Sequence, residues 1–152
     1  MPPLLIENES HSKAINHARR HIVGEPWSLR IASWLTKNHL RGAHRTISIA
    51  RRFGWLNVVA EYQLTEHVKL DVPLYREANC WTKDDIDAYE TEVIGFVRST
   101  CQQVGGSVTL VDCGADIGTF SVLCAAQIPQ IQRIVAFEPN SDAYSVLSDN
   151  LS

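Results

Sequence analysis

No run of about 18 apolar residues occurs in the 152-residue chain, which excludes a membrane-spanning helix. No C-x-x-C pair occurs among Cys80, Cys101, Cys113 and Cys124, which excludes a zinc knuckle. The N-terminus, MPPLLIENES, lacks the basic and then strongly apolar segments of a signal peptide and carries Glu7 and Glu9 instead. A cytoplasmic location is therefore expected, a mitochondrial presequence is not favoured, and the cysteines read as reduced, mostly buried thiols. The sequence also lacks internal repeats and low-complexity segments. What remains is ordinary globular composition, 45% hydrophobic and 20% charged, at a length suited to about one domain.

The net charge of −3 hides an asymmetry. Residues 1–56 hold nine basic and three acidic residues, and residues 57–152 hold five basic and fourteen acidic ones. The two parts can dock on one another, or the basic part can meet an anionic partner. The first reading is the plainer one.

Residues 1–56 read as a helical, basic extension. Helices are expected at Ser28–Leu35 and Arg45–Phe53, with an earlier one around Ser12–Ile22. Asn57–Leu64 and Val68–Leu74 predict an antiparallel hairpin turning at residues 65–67, with Pro73 at an edge. Thr82–Val104 predicts one long helix, capped by Thr82 and ended by Gly105-Gly106, with Ile86, Tyr89, Val93, Phe96 and Val97 as its apolar stripe. From residue 107 the pattern is strand, turn, helix, strand, turn, helix. Val108–Val111 and Ile134–Phe137 read as strands buried on both faces, Ile117–Gln127 as their crossover, and Ser141–Leu151 as a helix with Ser141 at its N-cap. The fold class is α/β, the start of a doubly wound sheet preceded by helices and a β-hairpin.

The chemistry lies in Asp112-Cys113-Gly114-Ala115-Asp116-Ile117-Gly118, a D-x-G-x-x-x-G spacing between a strand and a helix. Glycines here let the backbone approach a ligand and let helix and strand come close. The helix N-terminus offers N–H groups to an anionic part of that ligand. Asp112 can accept from an ammonium or a hydroxyl. Glu138 ends the next strand, 20 residues after Gly118, where dinucleotide-type folds place the carboxylate that holds ribose hydroxyls. Pro139 turns the chain away, leaving Asn140 and Ser141 on the adenine side. A nicotinamide site wants G-x-G-x-x-G, and Asp116 stands in the middle glycine's place. A plain structural turn, with a packing glycine and a capping Asp, is the remaining alternative.

VDCGADIGTFSVLCAA followed by RIVAFEPNSDAYSVLSDNL resembles the FkbM-type S-adenosylmethionine-dependent methyltransferases, whose motifs read close to V-D-V-G-A-N-I-G and V-x-A-F-E-P-N-P. Tyr89-Glu90-Thr91-Glu92 resembles the family's upstream Y-E-x-E stretch, so the likeness covers roughly residues 85–152. The resemblance implies a class I, Rossmann-like methyltransferase fold and methyl transfer to an oxygen of a sugar or other small metabolite. It implies that Asp112, Gly114, Ala115 and Gly118 surround the methionine part of the cofactor, that Glu138 holds the ribose, and that Asn140 lies near the adenine. Asp116 departs from the family's usual Asn; its carboxylate would repel the cofactor's carboxylate and attract its ammonium. A hydroxyl acceptor needs a general base, and the motif residues name none.

Elsewhere, His17 and His21 sit four apart with Arg19 and Arg20 between them, which speaks against a metal pair. Arg41, His44, Arg45, Arg51 and Arg52 read as a solvated or domain-docking face rather than a nucleic-acid site. Trp27, Trp34, Trp55 and Trp81 read as core or interface anchors. Two rivals to the enzyme reading are a non-catalytic, truncated methyltransferase-like nucleoside-binding or interaction module, and a helical interaction protein acting through its basic part. With two parallel strands within residues 107–152, residues 57–152 read as the first half of the domain. The chain alone is therefore expected not to catalyse methyl transfer and to self-associate through the open edge of its first strand.

Overall fold

The computed structural model describes residues 20–38, 43–76 and 81–152. Its elements are β1 (Arg20–Val23), α1 (Trp27–Lys37), α2 (Ala43–Arg52), β2 (Val58–Gln63), β3 (Lys69–Pro73), α3 (Lys83–Asp87), α4 (Thr91–Val104), β4 (Val108–Cys113), α5 (Thr119–Gln127), β5 (Ile131–Phe137) and α6 (Ser141–Asn150). They form a mixed α/β structure with a mixed sheet ordered β1-β2-β3 and a parallel pair β4-β5.

The hairpin follows from its alternation. Leu70 and Val72 are fully buried, while Lys69 is exposed and Asp71 half-buried. Gln63 lies opposite Lys69 and Ala60 opposite Val72, and the Thr65 hydroxyl accepts from Val68 N at 3.1 Å to shape the turn. Pro73 ends the edge strand, where no outward donor is needed. The expected helix at Ser12–Ile22 does not extend to its end. Arg20–Val23 is a strand parallel to β2, with Arg20 opposite Val58 and Val23 opposite Glu61. Residues 12–19, His17 among them, lie outside the described residues. This strand brings the basic N-terminal part into the same sheet as the hairpin, because Ile22 and Val23 are strand formers and Gly24 N extends the ladder to Glu61 O at 2.8 Å.

Helices α1 and α2 connect β1 to β2 and bury Leu29, Ala32 and Ala50. Their other side carries Trp27, Ile31, Trp34, Ile49 and Phe53, which with Trp55 are all at least 48% exposed. The Trp55 ring lies 5.8 Å from Trp27 and 5.6 Å from Phe53. These three tryptophans are therefore not core residues, whereas Trp81 is half-buried and packs on Tyr89 at 5.2 Å. Among the described residues, opposite charges of the two parts meet where Lys37 Nζ lies 3.6 Å from Asp84 and 3.5 Å from Asp85.

The single helix expected over Thr82–Val104 is two. Thr82 caps α3 in a reciprocal capping box with Asp85. The chain then turns tightly, with Tyr89 N on Ile86 O at 3.1 Å and Glu90 at φ 43° in the left-handed region. That break resets the helical phase. The buried residues of α4 are Ile94 and Cys101, while Val93 and Phe96 of the expected stripe point outward. Gly105, at φ 69°, ends α4 as expected.

Strands β4 and β5 pair in parallel, with Leu110 opposite Ile134 and Cys113 opposite Phe137, and α5 is their crossover. They are not buried on both faces as expected. Val108, Leu110 and Ile134 pack on the core, but Val111 and Phe137 are more than half exposed, because among the described residues helices cover one side only. Helices α5 and α6 also pack against β3 and so join the two sheets. Asn150 closes this junction: its Oδ1 accepts from Asp71 N at 2.7 Å, and its Nδ2 donates to Asp71 O at 3.1 Å and Ile117 O at 2.8 Å. Among the described residues, no helix is long and apolar enough to cross a membrane.

Candidate functional site

The site is built from the two turns that follow β4 and β5. Pairing of the strands brings Cys113 beside Phe137, so the turns start side by side. Gly114 N and Ala115 N both donate to Phe137 O, at 2.8 and 3.1 Å. Glu138 then locks the turns together. Its Oε2 accepts from Asp116 N at 2.8 Å, and its Oε1 accepts from Asn140 N at 2.8 Å. One carboxylate thus spans the D-x-G-x-x-x-G turn and its own loop.

The two glycines do different work. Gly114 has φ 84°, and a Cβ built on it would meet nothing within 4 Å, so the space above the turn is open. Gly118 has φ 87°, and a Cβ there would meet Leu147 Cδ1 at 2.7 Å. Gly118 is buried against α6 and serves close helix packing. Ala115 is buried, and Asp112 Oδ2 accepts from the buried Ser121 hydroxyl at 2.7 Å. The start of α5 has no side-chain cap, and the Thr119 hydroxyl is buried with no partner among the described residues. Asn140 is the N-cap of α6, in place of Ser141: its Oδ1 accepts from Asp142 N at 3.0 Å and Ala143 N at 3.1 Å. Its side chain is therefore already engaged.

Asp116 sits at φ 47°, a conformation Asp tolerates better than most residues. Its carboxylate meets Arg76, with Nη2 at 2.9 Å from Oδ1. Arg76 comes from the turn after β3, outside the stretch that carries the family resemblance, and the contact spans 40 residues of sequence. Nothing local in the sequence signals it. Tyr89 lies on the same side. Burial raises the pKa of its phenol, and Glu90, Asp112 and Asp116 raise it further. Cys124, fully buried in α5, is pushed up to about 11 by burial, with Asp112 adding to the shift. The ledge is thus a patch of carboxylates, with one guanidinium on Asp116.

A shallow, open depression lined by Gly106, Ser107, Pro129, Gln130 and Gln132 lies at the start of the strands, the end opposite the two turns. Among the described residues, no group of three His, Cys, Asp or Glu side chains is placed to hold a metal ion. His21 stands on β1 with its Nδ1 3.8 Å from Asp71, and Arg51 of the basic cluster donates to Arg76 O at 2.9 Å. No protein-family model, curated protein or solved structure matches the chain.

Proposed function

We propose that the paired turns after β4 and β5 bind S-adenosylmethionine, and that the chain acts in methyl transfer to a hydroxyl of a sugar or other small metabolite. The observation that carries this reading is the Glu138 bridge beside the open space over Gly114. Each Glu138 oxygen takes one amide hydrogen and keeps lone-pair capacity for a ribose hydroxyl. Gly114 leaves room that any side chain would fill, and the turn that holds Asp112, Ala115 and Asp116 would face the amino-acid end of the cofactor. Gly118 supports this turn from behind, and Asn140 fixes the loop on the adenine side. The bound cofactor would supply an already activated methyl sulfonium, so the residues of the chain position donor and acceptor and need not activate the donor.

Calorimetric titration of the chain with S-adenosylmethionine and S-adenosylhomocysteine tests the reading. One-to-one binding is expected, lost in Gly114→Val and weakened at least about tenfold, or 1.4 kcal/mol, in Glu138→Ala. A folded chain that gives no heat with either compound refutes it. The uncovered sheet face at Val111 and Phe137 favours a second reading, a methyltransferase-like interaction module that binds a nucleoside without catalysis. Binding of adenosine as tight as that of either cofactor form would support that module.

A further inference from the structure

We propose that Arg76 anchors the carboxylate of the ligand, so that the site selects nucleosides carrying a zwitterionic amino-acid tail over the bare nucleoside. The proposal rests on the function proposed above and assigns its specificity to a residue of the hairpin unit.

Three observations carry it. First, Arg76 is held in place. Its N donates to Pro73 O at 3.1 Å, its O accepts from Arg51 Nη2 at 2.9 Å, and its side chain is only 20% exposed. Secondly, its guanidinium is half used. Nη2 pairs with Asp116 Oδ1, while Nη1 is buried with no hydrogen-bond partner among the described residues. A charged N–H shielded from water without an acceptor is an unfavourable state that an incoming carboxylate oxygen relieves. Thirdly, the arrangement sits one residue from Ala115 and two from Gly114, where the space is open. The Asp116 pair thus ties Arg76 to the turn that the proposed ligand occupies.

The charges then sort a zwitterion by sign. Asp112 and Asp116 put two carboxylates at the turn after β4, and their charge is felt at the Tyr89 phenol, which suits an ammonium. Arg76 is the cation on this ledge with an unfilled donor. It also accounts for Asp116 where the resembling family has Asn. An uncompensated carboxylate would repel a ligand carboxylate, but the ion pair neutralises it and leaves the second guanidinium nitrogen for the ligand.

The test compares two probes by calorimetry. S-Adenosylhomocysteine carries the amino-acid tail, and 5′-methylthioadenosine is the same adenosine thioether without it. The chain is expected to bind S-adenosylhomocysteine at least about tenfold more tightly. Arg76→Met should abolish that preference while leaving the affinity for 5′-methylthioadenosine within about twofold. Arg76→Lys should retain part of the preference. Asp116→Asn should lower the preference less than Arg76→Met does, because it removes one carboxylate from the ammonium side and leaves the guanidinium free for the ligand. The proposal is overturned if Arg76→Met leaves both affinities unchanged or lowers both equally, the latter being the mark of a structural ion pair. It is also overturned, with nucleoside binding intact, if the unaltered chain binds both probes equally. Binding of neither probe would remove the proposed function itself. Should Arg76→Met fail to fold, the Arg76→Lys and Asp116→Asn affinities decide the matter alone.

Discussion

Gly118→Ala probes the joint between the candidate site and the core. Gly118 stands at φ 87° and ψ 14°, so an alanine there adopts left-handed backbone at a cost of roughly 1–2 kcal/mol. The added Cβ also comes within 2.7 Å of Leu147 Cδ1. Leu147 is 2% exposed, so its δ-carbon can give way only by a rotamer change inside the core. Overpacking of this kind costs about 1–3 kcal/mol, so the total is about 2–5 kcal/mol. Urea unfolding followed by circular dichroism measures it. Leu147→Val removes the δ-carbons at a loss of about 1 kcal/mol of burial. It abolishes the contact but not the backbone strain. The double variant should therefore be less destabilised than the sum of the singles by about 1–3 kcal/mol. A Gly118→Ala chain within about 0.5 kcal/mol of the unaltered one, or strict additivity in the double variant, would refute the packing role.

Thr82→Ala removes one half of a capping box and should cost about 1 kcal/mol in the same assay, with no change in nucleoside affinity. Among Cys101, Cys113 and Cys124, only Cys113 is exposed, and burial pushes Cys124 up to about 11. Maleimide labelling read by peptide mapping should modify Cys113 first, reach Cys101 and Cys124 only in denaturant, and slow at Cys113 when S-adenosylhomocysteine is added. Burial, opposed by His21, raises the Asp71 carboxyl above 3.8, so the folded chain holds that proton more tightly than the unfolded chain. The stability this contributes is full below the unfolded value and is lost as pH rises through the folded one. Asp71→Asn should therefore stabilise the chain at pH 7, with the gain vanishing near about pH 3. A gain that persists in acid would sink that reading.

The hairpin, the β4–α5–β5 unit and the start and end of the 82–104 segment were legible because local signals carry them. Leu70 and Val72 alternate with polar neighbours, Thr82 and Asp85 stand at capping-box spacing, and Gly105 marks a left-handed end. The kink at Glu90 was not legible, since Glu, unlike Gly, Asn or Asp, does not mark left-handed backbone. A stripe continued without a break from Ile86 falls on Val93 and Phe96, one phase away from the buried Ile94 and Cys101. Strand β1 was hidden by its length of four residues and by a polar context. Of the site, the two turns and the Glu138 position were legible from spacing. Arg76 was not, because its partner is supplied by tertiary packing.

The Asn150 clasp also guards an edge. β3 is the last strand of its sheet, and Asp71 turns its N–H and C=O away from β2. The Asn150 carboxamide accepts from one and donates to the other, as a peptide group of a neighbouring strand would. It thereby occupies a position from which a foreign strand could otherwise extend the sheet. Lys69 and Pro73 blunt the rest of that edge. The clasp arrives late, because 79 residues separate its two halves. At about 5–20 residues per second, ribosomal synthesis leaves the edge unguarded at Asp71 for roughly 4–16 s. A chain that loses Asn150 would keep that nascent vulnerability for life, and aggregation during expression would register the loss before any change in ligand affinity did.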